Sequence, residues 1–418
     1  MIIPFSEIVN TQKGKNPPVK SKIKLDGYIP YIDIKAFEQG IFDTYTDGNK
    51  CLLCDDNDIL LVWDGARAGL VGVAYKGAVG STLVRIDVPL IEKKYVLYFL
   101  NYFSRELNAK PKGTGIPHIN PTLFNSLPFP LSSLPEQQRI VTKIDSLFSE
   151  LENGVTLLKT IKAQLAIYRQ AILKWAFEDI SELVQIKNIA SLVTSGSRGW
   201  AKYYSNNGAK FIRIGNLKRY GINIDFMDIQ YVTLPQKVEG ARSLLMEKDI
   251  LISITADLGS IGFVETDLGE AYINQHIALV RLKDKVLSKF YAWFLRSNKG
   301  QEELLKNKRG AGKLGLGLDD IRNTRVPIIN DENAISILQK IESRLSVCDK
   351  LEQTIDQTLA LSASLRQSIL KKAFEGRLAP QDPNDEPAEK LLERIKAEKT
   401  AVLAKQKQIR KRGKNDQI

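Results

Sequence analysis

The sequence of 418 residues predicts an α+β fold in which two globular domains, each a twisted β-sheet with flanking helices, are separated by two long antiparallel coiled-coil helices. Two observations predict this organisation. A stretch with the spacing of a long amphipathic helix occurs twice, 197 residues apart, as Ala176 and Ala373 show. In front of each copy, short apolar segments typical of β-strands follow one another in the same order. A repeat of this length indicates a duplicated architecture.

The repeated stretch is interpreted as one unbroken helix in each copy, because about 40 residues align without a gap. The first copy ends Tyr168-Arg-Gln-Ala-Ile-Leu-Lys-Trp-Ala-Phe-Glu178, and the second ends Leu365-Arg-Gln-Ser-Ile-Leu-Lys-Lys-Ala-Phe-Glu375. Pro135 suits a first helical turn, Asn330 or Asp331 can cap the second helix, and Gly376 can end it. Two ordinary core helices are one interpretation. We favour a coiled-coil pair, because two helices of about 60 Å that share a sequence can pair through equivalent stripes.

These features divide the chain into five segments. They are a globular domain at residues 1–134, a helical spacer at 135–180, a second globular domain at 181–330, a second helical spacer at 331–378 and a tail at 379–418. The tail is predicted to contain a short helix at residues 391–404 and a basic end at 405–414. Such an end is typically solvated and frayed.

Composition limits the class of protein. Hydrophobic residues make up 43% of the chain and charged residues 26%, which is typical of a globular protein. No apolar run approaches the roughly 18 residues that a membrane span needs. The start, Met1-Ile-Ile-Pro-Phe-Ser, has no signal core, and three cysteines cannot form a disulfide framework, so we expect a cytoplasmic protein. The net charge of +12 favours a polyanionic partner.

The two globular domains repeat the same order of elements. In the first, strands are predicted at residues 29–34, 58–63 and 81–86, followed by a helix from Lys94. In the second, the counterparts are residues 210–214, 249–254 and 279–282, followed by a helix from Lys289. The helical copies agree better than the globular ones. We therefore expect one scaffold that holds two variants of one recognition domain.

A search for catalytic motifs finds no positive case. Asn16-Pro-Pro-Val19 resembles the Asn-Pro-Pro-aromatic loop of amino-group methyltransferases, but Val19 replaces the aromatic residue and no glycine-rich S-adenosylmethionine loop lies upstream. Gly310-Ala-Gly-Lys-Leu-Gly-Leu-Gly317 lacks both the first glycine and the Ser/Thr of a phosphate loop. Cys51 and Cys54 lack a second ligand pair, and His118 and His276 are the only histidines, so the sequence does not predict a structural zinc site. We predict no catalytic residue, no metal and no cofactor in this chain.

Polar loops at matching places suggest a DNA-binding surface. The segments Lys13-Gly-Lys-Asn-Pro-Pro18 and Thr194-Ser-Gly-Ser-Arg-Gly199 lie early in each globular domain. Cations suit phosphates, while amides, hydroxyls and guanidinium groups suit base edges. Any one of these residues is more often part of a solvated loop, but their joint occurrence at matching places supports a binding surface more strongly than any single residue does. The candidates are Lys13, Lys15, Arg67, Lys76, Lys112, Thr114 and His118 in the first domain, and Ser197, Arg198, Lys202, Tyr203, Asn216, Lys218, Arg219, Arg309 and Lys313 in the second.

The chain resembles the specificity subunit of type I restriction–modification systems. The motifs that carry the resemblance are Leu134-Pro-Glu-Gln-Gln-Arg-Ile140, Arg169-Gln-Ala-Ile-Leu173 with Ala176-Phe-Glu178, and Arg366-Gln-Ser-Ile-Leu370 with Ala373-Phe-Glu-Gly-Arg-Leu378. The tail segments Ala379-Pro-Gln-Asp-Pro-Asn-Asp-Glu-Pro-Ala388 and Leu391-Leu-Glu-Arg394 are also similar to the family. The resemblance spans the whole chain and is strongest in the helices and the tail.

This resemblance implies a non-catalytic subunit. Each globular domain would be a target-recognition domain that binds one half of a bipartite site in double-stranded DNA. The helices would set the gap between the halves and dock two methyltransferase subunits, which would bind S-adenosylmethionine and flip an adenine. Restriction subunits that depend on ATP and Mg²⁺ would complete the complex.

Two other functions are consistent with the sequence. One is a stand-alone DNA methyltransferase or nuclease with its own recognition domains, which rests on residues 16–19 alone. The other is a coiled-coil adaptor that assembles partners without binding DNA, which leaves the polar loops unexplained.

Overall fold

The secondary structure is that of the computed structural model, which describes residues 1–110, 117–218, 220–235, 240–306, 308 and 315–415, with only the backbone at residues 241 and 402–415. The chain folds into two compact units. Unit 1 consists of Met1–Thr156 and Thr358–Ile418, and unit 2 consists of Leu157–Gln357. The sequence predicted boundaries at the ends of the long helices, whereas the division between the units falls inside both helices.

The first globular part contains strands and short helices that precede the first long helix. In chain order they are β1 (Ile2–Pro4), β2 (Asn10–Lys13), β3 (Ile29–Ile32), α1 (Ile34–Gln39), β4 (Tyr45–Thr46), β5 (Leu53–Cys54), β6 (Ile59–Val62), β7 (Val71–Val73), β8 (Gly77–Val79), β9 (Leu83–Asp87), α2 (Lys93–Ala109), α3 (Pro121–Asn125), β10 (Pro128–Pro130) and α4 (Leu134–Phe177).

The second part repeats this series and ends with the tail helix. Its elements are β11 (Leu183–Gln185), α5 (Ile186–Ile189), β12 (Ala190–Ser195), β13 (Tyr204–Ser205), β14 (Ala209–Ile212), β15 (Gln230–Val232), β16 (Ile250–Ser253), β17 (Ile261–Phe263), β18 (Ala271–Ile273), β19 (Ile277–Leu282), α6 (Ser288–Arg296), α7 (Asn298–Leu305), α8 (Leu318–Asn323), β20 (Arg325–Pro327), α9 (Asp331–Phe374) and α10 (Ala388–Asn415).

The sheets of the two units share most of their strand pairs. In unit 1, β2-β9-β6-β7 form an antiparallel sheet, β4-β3-β8-β5 form a second sheet in which β3 and β8 are parallel, and β1 pairs with β10. In unit 2, β12-β19-β16-β17, β14 with the parallel β18, and β11 with β20 repeat the same pairs. The predicted α+β class, the three pairs of matching strands and the following helices are therefore confirmed.

One predicted match between the strands is displaced by two residues. Val62 of β6 pairs with Leu83, and its counterpart Ser253 of β16 pairs with Ile277. Leu83 therefore corresponds to Ile277 and not to Leu279. A shift of two residues keeps every side chain on the same face of the sheet, so the apolar pattern does not distinguish the two alignments.

The two 44-residue helices α4 and α9 pack together as antiparallel segments in each unit. In unit 2, Arg169 lies 2.6 Å from Asp349 and Lys162 lies 2.6 Å from Asp356, so the positions fall along α9 as they rise along α4. In unit 1, Arg366 lies 2.6 Å from Glu152. Arg169 and Arg366 are the arginines of the repeated motif, so the duplicated sequence makes the same kind of ion pair twice.

The end of each long helix is anchored by a phenylalanine of the repeat. In unit 2, Phe177 is 1% exposed and its ring lies 5.4 Å from both Phe290 and Phe294 of α6. In unit 1, Phe374 lies 5.3 Å from Tyr95 and 5.5 Å from Phe99 of α2. Helix α2 in unit 1 and helix α6 in unit 2 are thus the surfaces against which the ends of the long helices pack.

The prediction of a solvated end concerned residues 405–414, and the preceding half of the tail packs into unit 1. Helix α10 begins at Ala388, and Leu391 and Ile395 are 2% and 0% exposed within the core of unit 1. Lys399 Nζ donates to the carbonyl oxygens of Ser6, Glu7 and Val9 at 3.0, 3.2 and 3.1 Å. The apolar residues at positions 391, 392 and 395 form a stripe at helical spacing that needs a partner, and unit 1 supplies it.

Candidate nucleic-acid interface

Both polar loops begin at a glycine that has no room for a side chain. In unit 1, a Cβ placed on Gly14 would lie 2.2 Å from Gly80 O, directly after β2 and β8. In unit 2, Gly196 directly follows β12, and a Cβ on it would lie 2.0 Å from the carbonyl oxygen of Ile273, the last residue of β18. Only glycine permits such a close approach of two backbones. The two loops therefore start from equivalent positions in the β-sheet frameworks of the two units.

In unit 1, a cluster of polar side chains lies beside this glycine. Lys13 Nζ lies 2.6 Å from one carboxylate oxygen of Asp64, and His118 Nδ1 lies 2.6 Å from the other. The side chain of Asp64 is 13% exposed, while those of Lys13 and His118 are 51% and 46% exposed. Burial alone would raise the pKa of Asp64, but the hydrogen bonds from Lys13 and His118 outweigh it and hold the pKa below its usual value. Asp64 is thus a shielded anion with two accessible partners.

Backbone hydrogen bonds fix this cluster in place. Gly65 N donates to Pro117 O at 2.8 Å and Ile119 N donates to Trp63 O at 2.9 Å, so Asp64 and His118 form an antiparallel bridge. Because an ionised carboxylate only accepts hydrogen bonds, the proton of a neutral His118 lies on Nδ1. Its Nε2 is then a hydrogen-bond acceptor.

Unit 2 has a counterpart at the same place in its frame. Thr255 follows β16 as Asp64 follows β6, and it bridges to Gly315 as Asp64 bridges to His118. Its hydroxyl lies 2.8 Å from His276 Nδ1, and Gln275 Nε2 lies 2.9 Å from His276 Nε2. An uncharged threonine therefore occupies the position that the charged Asp64 holds in unit 1. Both histidines of the chain lie at this point.

The other candidates of unit 1 are more scattered. Lys15 is exposed in the loop after Gly14. Arg67 pairs with Glu38 at 2.8 Å and Lys76 with Asp55 at 3.7 Å, and the side chains of both cations are largely exposed. Lys112 and Thr114 lie outside the described residues.

In unit 2, Arg198, Lys202 and Lys218 are exposed, Ser197 and Tyr203 are partly exposed, and Asn216 is buried. Ser197 bridges to Asn274, which places the loop of Arg198 next to the segment that contains Gln275 and His276. Arg198 is exposed. The Lys202 ammonium lies 5.0 Å from the ring of Tyr203, and Lys218 pairs with Asp225 at 3.4 Å. Arg219, Arg309 and Lys313 lie outside the described residues.

Asn216 differs from the other candidates because it is only 3% exposed. Its side-chain oxygen accepts from Arg213 N, and its amide nitrogen donates to the carbonyl oxygens of Asp225 and Asp228. This residue holds the loop and does not face solvent. From the sequence, Asn216 was predicted as a polar loop residue, because the sequence does not show that a loop residue is buried.

Asn16 and Cys54, from two of the motifs considered for chemistry, make structural contacts, whereas residues 310–314 of the third motif lie outside the described residues. Asn16 Oδ1 accepts from the hydroxyl of Tyr31 at 3.0 Å and from Lys20 Nζ at 3.1 Å, so this amide holds its own loop. Cys54 is buried, and burial raises the pKa of its thiol to about 11. Across residues 1–110, 117–218, 220–235, 240–306, 308 and 315–415, no group of three or more His, Cys, Asp or Glu residues is placed to hold a metal ion. In the same residues, no helix is long and apolar enough to cross a membrane.

Two copies of one frame with different polar groups at equivalent points define a two-part recognition protein. The protein belongs to the family described as type I restriction modification DNA specificity domain, whose model matches residues 2–163 and 173–361. The resemblance inferred from the helical motifs is thereby confirmed.

Relatives with this description cover most of the chain. The specificity subunit of the type I restriction enzyme MjaVIII from Methanocaldococcus jannaschii is 26% identical over 369 residues, which is 82% of this chain and 85% of that protein. The EcoBI specificity subunit from Escherichia coli is 24% identical over 418 residues, covering 89% and 86%.

Solved structures share the fold. The HsdS subunit from Thermoanaerobacter tengcongensis has a TM-score of 0.59 at 19% identity and covers 90% of this chain and 97% of its own. A chain from a study of complex assembly in the type I restriction–modification system has a TM-score of 0.66, also at 19% identity, and covers 90% and 98%.

Proposed function

We propose that this chain gives a type I restriction–modification complex its DNA sequence specificity, with each unit binding one half of a bipartite duplex target. The observation that carries the proposal is the duplication of a whole frame with different polar groups at equivalent points. A protein that reads two different half-sites needs this combination, whereas an adaptor has no need of the polar loops. The net charge of +12 favours a phosphate backbone as the partner.

Methyltransferase subunits are the partners that would perform the chemistry. We expect two of them, because the long helices present exposed apolar side chains at equivalent positions. Tyr168 in unit 2 is 52% exposed and its counterpart Leu365 in unit 1 is 49% exposed, each directly before the arginine of the repeated motif. Exposed apolar patches mark sites of protein association. The helices would also set the gap between the half-sites, since a continuous helix fixes a length that a flexible linker does not.

This chain would itself be non-catalytic and would bind no cofactor. S-adenosylmethionine would be used by the methyltransferase partners, and ATP with Mg²⁺ by restriction subunits where these are present. The complex would work in the cytoplasm, where chromosomal and incoming DNA meet.

The first experiment measures specific methylation and its modular origin. Cells that express this chain with its methyltransferase partner are subjected to methylome sequencing, which should give one split sequence. Replacing residues 181–330 with those of another family member should change one half of that sequence only, and replacing residues 1–134 should change the other. A swap that changes both halves would contradict the modular interpretation.

The second experiment tests contact with the phosphate backbone. Affinity of the complex for its duplex is measured between 50 and 200 mM salt, and log affinity should fall linearly with log salt concentration. A flat response would exclude a DNA-binding role and favour an adaptor.

A third experiment tests the docking positions. Tyr168→Asp and Leu365→Asp should each remove one methyltransferase subunit from the complex, as measured by native mass spectrometry, and the double variant should remove both. Val286→Asp, at an exposed position of unit 2 outside the helices, is the matched control and should leave two subunits bound. Unchanged stoichiometry in the double variant would place the docking surface elsewhere.

A further inference from the structure

We propose that Asp64 in unit 1 and Thr255 in unit 2 anchor a base-reading cluster in each half, formed by Lys13, Asp64 and His118 in the first and by Thr255, Gln275 and His276 in the second. The inference rests on the proposed function and assigns the residues that would read one base pair in each half-site. It concerns specificity and not overall affinity.

The first support is equivalent placement. Both clusters follow the buried central strand of their sheet, β6 or β16. They are held by the same backbone bonds, Ile119 N to Trp63 O at 2.9 Å in unit 1 and Leu316 N to Ile254 O at 3.0 Å in unit 2. A recognition group gains precision when a rigid element holds it, and a strand end with fixed backbone partners meets this need.

The second support is the contrast between anchor and accessible groups in unit 1. Asp64 is largely shielded, whereas about half of each partner side chain is exposed. A simple surface ion pair exposes both charges and contributes little to stability. Here one shielded carboxylate uses both oxygens to orient two accessible groups, which suits positioning of Lys13 and His118 for an external partner.

The chemistry of the unit 1 cluster fits one base pair. Asp64 takes one of the three donors of Lys13, and two remain for the O6 and N7 acceptors of guanine. In the neutral form of His118, Nε2 is an acceptor that suits the N4 amino group of cytosine. The O6 and N7 acceptors of guanine and the N4 donor of cytosine lie on the same edge of a G·C pair, in the major groove. We therefore expect a required G·C pair in the half-site of unit 1.

The unit 2 cluster has a different preference. Both nitrogens of His276 contact Thr255 and Gln275, and all three side chains belong to partly exposed residues. No cation takes part in these contacts. Removing charge in unit 1 should thus change one half-site and leave the half-site of unit 2 as it was.

The test uses the whole complex of this chain with its methyltransferase partner. Binding is measured by competition between duplexes that each differ from the target at one base pair, and methylome sequencing is run in parallel. Lys13→Gln and His118→Gln should each lower the preference for G·C at one position of one half-site by roughly tenfold or more. Lys13→Arg should keep the preference, because arginine also donates to guanine O6 and N7.

Asp64→Asn tests the positioning role separately. It should relax the same position without touching any other, since the two reading groups lose their common anchor. Lys24→Gln removes the same charge from an exposed lysine of unit 1 outside the cluster and is the matched control, which should leave the sequence requirement unchanged. Thermal melting of each variant verifies folding.

The outcomes separate this inference from the function on which it rests. A uniform loss of affinity on all duplexes would assign Lys13 to the phosphate backbone and overturn the inference, as would an unchanged preference. A wild-type complex with no sequence preference at all would instead overturn the proposed function.

Discussion

The anchor at the end of the first long helix gives a sharp test of the fold. Phe177 is 1% exposed and packs edge-on against Phe290 and Phe294 of unit 2. Phe177→Ala removes a buried ring and leaves a cavity, so we expect a loss of about 3–5 kcal/mol in the free energy of unfolding. With a urea slope of about 2–3 kcal/mol per molar, the unfolding midpoint should fall by about 1–2 M.

Tryptophan fluorescence during urea unfolding is a suitable assay, because three of the four tryptophans, Trp175, Trp200 and Trp293, belong to unit 2. Ile167→Ala is the matched control. It removes an apolar side chain of the same helix that is 71% exposed, and it should change stability by less than about 0.5 kcal/mol. A loss below about 1 kcal/mol for Phe177→Ala would show that the aromatic contacts do not hold the helix end.

Three further perturbations follow from the described contacts. Asp249 is 0% exposed and binds Arg281 through both oxygens at 2.7 and 2.8 Å, so Asp249→Ala should cost about 3–5 kcal/mol, measured by thermal melting. Gly196→Ala should lower stability and weaken DNA binding, because its Cβ would collide with Ile273 O, and a variant with wild-type melting and affinity would refute this close approach. The pKa of Asp64 is lowered in the folded state, so its ionised form stabilises the fold. This contribution is present above the unfolded pKa near 3.8 and is lost as pH falls through the folded pKa. Asp64→Asn should therefore remove that part of the acid dependence in melting curves between pH 5 and pH 2.

The long helices were predictable because their information is local and duplicated. Helix α4 begins at Leu134, so Pro135 lies in the first helical turn, as predicted. Asn330 caps α9, since its side chain accepts a hydrogen bond from Asn333 N at 2.9 Å. Gly376, with φ of 71°, lies just beyond the last helical residue, Phe374. Capping residues, periodicity and a gapless repeat all predict the same helix, so the prediction does not depend on any one of them.

Short polar strands were not predictable in the same way. β2 consists of Asn10-Thr-Gln-Lys13, which has no apolar alternation and was not predicted as a strand. It becomes a strand because β9 offers an unpaired edge, with Thr11 opposite Ile86. Tertiary context decides such strands, since pairing to an existing sheet satisfies backbone groups whatever the side chains are.

The recognition cluster shows the same limit. Lys13 and His118 were candidates from sequence, but Asp64, which joins them, was not, because it lies 51 residues from one and 54 from the other. Periodicity assigns a residue to a face of a strand and says nothing about which distant strand end lies beside it. The sole local signal was the turn-rich segment after a buried strand, a position where loops often have functional roles.

The structural residues that the two units share and the polar groups in which they differ can be tested separately. The phenylalanine anchors, the close-approach glycines and the strand registers recur in both units, so changes there should reduce stability. The groups at position 64 and at its counterpart 255 differ in charge, although both follow a sheet with the same strand order, so this sheet does not depend on either chemistry. Substitutions in the accessible part of the clusters should therefore alter sequence preference at nearly constant melting temperature. If Lys13→Gln instead lowered the melting temperature as much as Phe177→Ala, the cluster would belong to the framework.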